Sequence, residues 1–252
     1  MKRIKIVDTT LRDGEQTPGV VFSQLEKIEI VTKLARLKVE VIEVGIAAVS
    51  KEERTSIKSL LALNLPPEML LWNRIKLSDI DYSLECGAQY LHLSAPVSRL
   101  HIKEKLNKSY EIVLREMQQA VKYAKTAGVF VSVGAEDASR ADFSFLKEYI
   151  RAAEEVGADR LRYADTVGIL DPTRSYDRLR AVKDFTTLEI EFHAHNDFGL
   201  AVANSLAAAE AGADYISCTI DGLGERAGNT DHKKFIKAYN YFYGSEPEAE
   251  KK

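Results

Sequence analysis

The sequence predicts an α/β protein folded as a (β/α)8 barrel. Three observations carry that expectation. Short β-rich runs alternate with amphipathic helical stretches eight times in about 240 residues, as such a barrel requires. The strand-like runs are apolar at alternate positions and polar between them. Gly-Ala or Gly-Val stands before four of the runs, at Gly87-Ala88, Gly128-Val129, Gly157-Ala158 and Gly212-Ala213, which fits glycine helix caps. An open doubly wound sheet would also alternate strands with helices, but its central strands would be apolar on both faces.

The elements follow in order. IKIVDTT (4–10) reads as the first strand, and SQLEKIEIVTKLARL (23–37) as a helix with Ser23 at its N-cap and Glu26 completing a capping box. VEVIEVGI (39–46) is the second strand, with a helix near 50–63. LLWNRI (70–75) is the third, with a helix near 77–86. YLHLSAP (90–96) is the fourth, followed by a long helix near 109–127. VFVSVGAED (129–137) is the fifth, with a helix near 142–156. RLRYADT (160–166) is the sixth, and DPT at 171–173 opens its helix. EIEFHAHND (189–197) and YISCTIDG (215–222) are the seventh and eighth, with helices near 199–211 and 231–243. Residues 1–243 are therefore expected to form one barrel, and GSEPEAEKK (244–252) a charged, disordered tail.

Composition narrows the function classes. Of 252 residues, 45% are hydrophobic and 29% charged. Lys plus Arg is 35 and Asp plus Glu is 38, a net charge of −3, which argues against holding nucleic acid or an anionic membrane by bulk charge. No apolar run approaches the roughly 20 residues that span a bilayer. MKRIKIVDTT has no long apolar stretch, so a secretory signal is not expected. The two cysteines, Cys86 and Cys218, form neither a zinc pattern nor a disulfide framework. The expectation is a soluble, reduced, cytoplasmic protein.

Period two sorts each strand into two faces. Ile42, Val44 and Ile46 alternate with Glu43 and Gly45. Leu91 and Leu93 alternate with His92 and Ser94. Val131 and Val133 alternate with Ser132, Gly134 and Glu136. Ile190, Phe192 and Ala194 alternate with Glu191, His193 and His195. The apolar sets pack under the helices and the polar sets point inward. Burying them is costly unless they are paired or bind a ligand, and the place for them is the C-terminal mouth, where such barrels carry their active sites.

Several motifs could carry chemistry there. His193 and His195 in HAHND project to one side of a strand end, a common way to offer two nitrogens to a metal. An isolated H-x-H serves equally as two hydrogen-bonded core histidines. LRDGEQ (11–16) follows the first strand and offers Asp13 as a ligand with Arg12 beside it; alone it would read as a charged surface turn. GLGERAGN (222–229) matches a loose dinucleotide fingerprint, but no βαβ unit with a downstream acid follows it. Its glycines more readily let the loop bend so that Asn229 reaches the metal. Asp, two His and an Asn amide oxygen suit Mg2+, Mn2+ or Zn2+ acting as a Lewis acid on a carbonyl. Trp72 and Arg74 could clamp a substrate carboxylate, or sit on the outer rim. Arg162 is a candidate substrate ligand at the end of its strand, though Arg162 and Glu136 could equally form an internal salt bridge. His92 points into the barrel as a candidate substrate ligand, whereas His101 and His232 read as peripheral.

Together these motifs resemble the metal-dependent barrel family of 2-isopropylmalate synthase, homocitrate synthase and HMG-CoA lyase. DTTLRDGEQTPG (8–19) is similar to the synthase form of the first signature, and HAHNDFGLAVANSLAAAEAGA (193–213) to the second; GLGERAGN completes the set. WNR (72–74), LSAPVS (93–98), VGAEDASRAD (133–142) and RYADTVGI (162–169) most resemble the homocitrate synthases that serve nitrogenase cofactor assembly. Lysine-pathway homocitrate synthases usually carry Glu where this chain has Asp13, and lyases Leu where it has Glu15.

The resemblance implies a Claisen-type acyltransferase joining acetyl-CoA to a 2-oxo acid, 2-oxoglutarate giving homocitrate. It implies that Asp13, His193, His195 and Asn229 hold a divalent metal or its ligand water. Arg12 would stabilise the developing alkoxide. Gln16 and Thr166 would contact the substrate, and Glu136 would help orient the base that takes the methyl proton. Family synthases continue beyond the barrel into a lid and dimerisation region with a catalytic His from the partner chain. This chain stops at Lys252. The expectation is therefore a barrel lacking that region, completed by a second subunit or another copy of itself. A metal-dependent retro-aldol or retro-Claisen lyase and a non-catalytic subunit binding metal and 2-oxo acid are the alternatives.

Overall fold

The computed structural model describes residues 3–244, so the expected charged tail lies outside the described residues except for Gly244. Eight strands run β1 (Lys5–Asp8), β2 (Val41–Gly45), β3 (Glu68–Arg74), β4 (Tyr90–Pro96), β5 (Phe130–Glu136), β6 (Arg160–Asp165), β7 (Glu189–Ala194) and β8 (Tyr215–Cys218). Between them lie α1 (Gln24–Arg36), α2 (Lys51–Leu61), α3 (Leu77–Glu85), α4 (Tyr110–Thr126), α5 (Phe143–Glu155), α6 (Pro172–Lys183) and α7 (Ala201–Glu210), and α8 (His232–Tyr243) follows β8. All neighbouring strands pair in parallel, and β1 pairs with both β2 and β8, so the sheet closes and the open-sheet alternative falls. Among the described residues no helix is long and apolar enough to cross a membrane.

Local chemistry sets the elements. Ser23 and Glu26 form the capping box that starts α1. Asp171 caps α6, whose first residue is Pro172, a position where the missing N–H costs nothing. Strands end sooner than their residue types suggest. β1 stops at Asp8 because the Asp8 carboxylate accepts from the Thr10 N–H at 2.9 Å and turns the chain. β8 stops at Cys218, and a short 3-10 turn (Ile220–Gly222) follows where more strand was expected.

Period two sorts the faces as expected. The outward set, including Ile42, Leu91, Val131, Leu161 and Ile190, packs under the helices in the main core. Inside, the lower end is closed by Val7, Val41, Leu70 and Tyr215, with Tyr90 against them. The Arg160 guanidinium is buried there over the Tyr215 and Phe130 rings, at 4.4 and 5.2 Å. Above this plug the lumen turns ionic. Glu43 of β2 accepts from Arg162 of β6 at 2.5 Å, and Arg162 Nε also forms an ion pair with Glu191 of β7 at 2.6 Å. Arg162 faces Gly134 and Glu191 in register, so it pairs with the carboxylates at its own level. The expected Arg162–Glu136 salt bridge does not form, because Glu136 ends β5 two residues higher, at the mouth.

Candidate active site

A cavity of about 360 Å³ opens at the C-terminal ends of the strands. Arg12, Asp13 and Gln16 reach it from the turn after β1. Trp72 comes from β3, His92 and Ser94 from β4, Gly134 and Glu136 from β5, and Arg162 and Thr166 from β6 and its following turn. His193 and His195 come from β7 and just beyond it, and Glu225 and Arg226 from the loop after β8. The structure thus brings most of the sequence-selected residues to one mouth.

Arg74 is the exception. It does not line the cavity; its guanidinium makes two bonds to Asp79 of α3, at 2.6 and 3.0 Å. β3 ends at Arg74, and the side chain leaves the lumen for the carboxylate in the first turn of the next helix. The rim reading of Arg74 holds and the substrate clamp falls, while Trp72 stays at the cavity.

Asp13, His193 and His195 are buried and lie close enough to bind one ion: a ligand atom from each falls within 4.8 Å of the others. Asp13 Oδ2 lies 3.1 Å from His193 Nε2 and 3.9 Å from His195 Nε2. Burial opposes the Asp13 charge, but the Arg12 guanidinium, 3.0 Å away, and the His193 imidazole hold its carboxyl well below the usual carboxylate range. Burial, with His193 alongside, pushes the His195 imidazole down to about 4, so its lone pairs are available at neutral pH. Asn229 pairs with His195 in an isolated antiparallel bridge, and its Oδ1 is a buried acceptor with no partner. One carboxylate, two imidazoles and an unclaimed amide oxygen fit a divalent ion. The loop glycines make room for this. A Cβ on Gly224 would meet Asn229 Nδ2 at 2.2 Å, and Gly228, at φ +90°, would drive one into the Gly222 carbonyl oxygen at 2.0 Å.

Arg12 is held rather than free. It donates to Glu43 through Nε, and through Nη1 to Asp13 at 3.0 Å and to the Gln16 side-chain oxygen at 3.3 Å. His92 Nδ1 lies 3.0 Å from Ser132 Oγ. Burial, then Arg162 and Arg12, push its pKa well below normal, so it faces the cavity neutral. A Cβ on Gly134 would meet His92 Nε2 at 2.5 Å, so glycine there gives the ring its place. Thr166 Oγ1 accepts from the Asp137 N–H at 2.8 Å. Arg226 donates twice to Asp197, at 2.7 and 2.9 Å, and to the Thr166 carbonyl at 2.7 Å, bracing the far rim.

Two cavity residues escape the sequence reading. His101, taken there as peripheral, lies 3.0 Å from Glu136 Oε1, and Lys105 donates to the same oxygen at 2.8 Å. Both stand on a π-helical turn (His101–Lys105) just beyond β4. The available signal was position: a loop at the C-terminal end of a barrel strand faces the mouth. His232 lies 3.8 Å from Asp8 and does not line the cavity.

The chain is 48% identical over 242 residues to 2-isopropylmalate synthase 2 of Caldanaerobacter subterraneus, covering 96% of this chain and 63% of that protein. It is 45% identical over 241 residues to homocitrate synthase subunit alpha of Clostridium pasteurianum, covering 96% of this chain and 90% of that subunit. The chain thus spans less than two thirds of the first of these relatives and nearly all of the second. HMG-CoA lyase from Brucella melitensis has the same fold, with a TM-score of 0.84 at 16% identity over 96% of this chain and 91% of that one. Residues 3–242 match the HMGL-like family, and the chain belongs to it.

Proposed function

We propose that this barrel is the catalytic unit of an acyltransferase that condenses acetyl-CoA with a 2-oxo acid. The nitrogenase-type resemblance of its strand ends favours 2-oxoglutarate, giving homocitrate. The observation that carries this is the convergence of Asp13, His193 and His195 with Arg12 and Glu136 on one cavity. Identity of 45% over nine tenths of a homocitrate synthase alpha subunit supports the same reading.

Asp13, His193, His195 and Asn229 would hold the divalent ion. Bound there, Mg2+, Mn2+ or Zn2+ would supply a Lewis acid for the 2-oxo carbonyl. Gln16, His92 and Thr166 orient the substrate by hydrogen bonds. Arg162 stays behind them, committed to two carboxylates, and keeps Glu43 charged for Arg12. Arg12, fixed by Glu43 and Asp13, presents a cation to the alkoxide that forms when the enolate carbon joins the keto carbon. The alkoxide then takes up a proton, and water cleaves the thioester to release the CoA thiol. A cover from a second subunit or a second copy would exclude bulk water.

Thiol release from acetyl-CoA tests the reading. Four acceptors should be compared, 2-oxoglutarate, oxaloacetate, 2-oxoisovalerate and pyruvate, with and without a candidate second subunit. Acceptor-dependent release, fastest with 2-oxoglutarate, is expected. Cleavage of a hydroxyacyl-CoA without any condensation would instead favour the lyase alternative.

A further inference from the structure

Lys27 of α1 is buried, although it carries an ammonium. Its Nζ donates to Glu15 Oε2 at 3.0 Å and to Glu53 Oε2 at 3.1 Å. An ammonium leaves water at a cost that only close, well-placed partners offset. The three side chains come from three places: Glu15 from the turn after β1, Lys27 from α1 and Glu53 from α2. A Cβ on Gly45, the last residue of β2, would run into Glu53 Oε1, so glycine there lets the carboxylate lie over the strand end. Gly45 follows by two residues the Glu43 that anchors Arg12. The ion triad thus closes on the same strand end that holds the cation of the site.

Glu15 is the middle residue of a 3-10 turn (Gly14–Gln16) that starts directly after Asp13. The Gln16 N–H donates to the Asp13 carbonyl at 2.9 Å, and the Thr17 N–H to that of Gly14 at 3.1 Å. Asp13 and Gln16 face the cavity, whereas the Glu15 side chain reaches out to α1. Glu15 Oε1 also accepts the Phe22 N–H at 3.2 Å, so one carboxylate ties both ends of the stretch 15–22 to Lys27. Thr17 grips the other side. Its hydroxyl donates to the Gly224 carbonyl at 3.1 Å and accepts the Gly224 N–H at 2.7 Å, which joins the turn to the loop bearing Asn229. In so short a turn, fixing the middle residue fixes both flanks. We propose that Lys27 is a positioning residue that, through Glu15, sets the place of Asp13 at the metal site and of Gln16 in the cavity. Lys27, Glu15 and Glu53 do not line the cavity, so they act on it only through that turn. The inference rests on the proposed metal site and extends it to a buried cation outside the lumen.

Titration with Mn2+, followed by the paramagnetic resonance of the free ion, tests it; circular dichroism checks folding. Lys27→Met should weaken Mn2+ binding about tenfold, the lower end for losing a partner behind a metal ligand. Glu15→Gln should weaken it similarly, because the amide offers one oxygen where the carboxylate offers two, and either Lys27 or the Phe22 N–H loses its acceptor. Lys183→Met is the matched control. It removes an ion pair to Asp214, 2.8 Å long, at the opposite end of the barrel, and should lower the melting temperature while leaving Mn2+ affinity unchanged. Unchanged affinity in folded Lys27→Met and Glu15→Gln proteins, or equal weakening in Lys183→Met, overturns the inference and leaves the metal site intact. Should Lys27→Met fail to fold, Glu15→Gln decides alone, since that side chain is partly exposed. No Mn2+ binding by the unsubstituted protein overturns the metal site and the inference with it. Mn2+ binding without thiol release, with or without the second subunit, overturns the proposed condensation and leaves the inference standing.

Discussion

Arg162 of β6 donates across the lumen to Glu43 of β2 at 2.5 Å, joining positions 119 residues apart in the chain. Glu43 also accepts from Arg12, so one carboxylate neutralises a structural cation and a cation of the site. Burial opposes its ionisation, but Arg12 and Arg162 outweigh burial and pull its pKa down to about 2. Glu43→Gln should therefore leave two buried guanidiniums short of charge. The expected loss is about 3–5 kcal/mol of stability by urea unfolding at pH 7, together with a large fall in thiol release as Arg12 loses its anchor. A loss below about 1 kcal/mol would mean that water screens the pair.

A pH effect follows from Asp8. Its Oδ1 accepts the Thr10 N–H, its Oδ2 is buried without a hydrogen-bond partner, 3.8 Å from His232 Nδ1, and burial raises its pKa to about 6 from 3.8. Between those values the folded protein keeps a proton that the unfolded chain has released. Stability from this group should fall as pH rises through the window, by on the order of 3 kcal/mol, and stay lost above it. Asp8→Asn keeps the Oδ1 acceptor and should remove that fall. Urea midpoints of the two proteins compared from pH 4 to pH 7 read the difference directly; parallel curves would refute it.

The double variant His193→Ala, His195→Ala should lose stoichiometric binding of a divalent ion while keeping its helical circular dichroism. Both imidazoles are at the mouth, above the barrel's structural layers, so the fold does not depend on them. Metal content after dialysis against limiting Mn2+ or Zn2+ measures the effect. Equal content in variant and unsubstituted protein would place the ion elsewhere.

The chain alone should bind a 2-oxo acid in the presence of metal yet release thiol from acetyl-CoA slowly. Every proposed ligand for the metal and the acid lies within the described residues, whereas the cavity mouth has no cover among them. Adding the second subunit should raise the rate at least tenfold, as closure of a site does. Full turnover by a protein shown to be monomeric under assay conditions would count against that requirement.

The barrel was legible because the strand–helix unit recurs eight times, and misjudging a strand end by a few residues leaves that count intact. The candidate metal cluster was legible because His193 and His195 share a strand face and Asp13 follows another strand end directly. Pairing across the lumen was not. Arg162 could be matched with Glu136 by eye, but register sets it level with Glu191 and opposite Glu43. His101 was missed because an irregular π turn carries it to the mouth, and no periodicity marks such a turn. Arg74 was misplaced because a strand's last residue is free to abandon its face for a helix carboxylate.

The plug of Val7, Val41, Leu70 and Tyr215 beneath the Arg160 guanidinium makes the barrel a blind-ended well. Reactants and products must share one doorway. On the proposed condensation, an acceptor acid bound deepest would have to arrive before the bulky thioester, and its product could depart only after the thiol had gone. Such a well enforces queueing: excess acetyl-CoA should compete with the acid for entry, and any subunit that roofs the opening becomes a turnstile for the whole catalytic cycle.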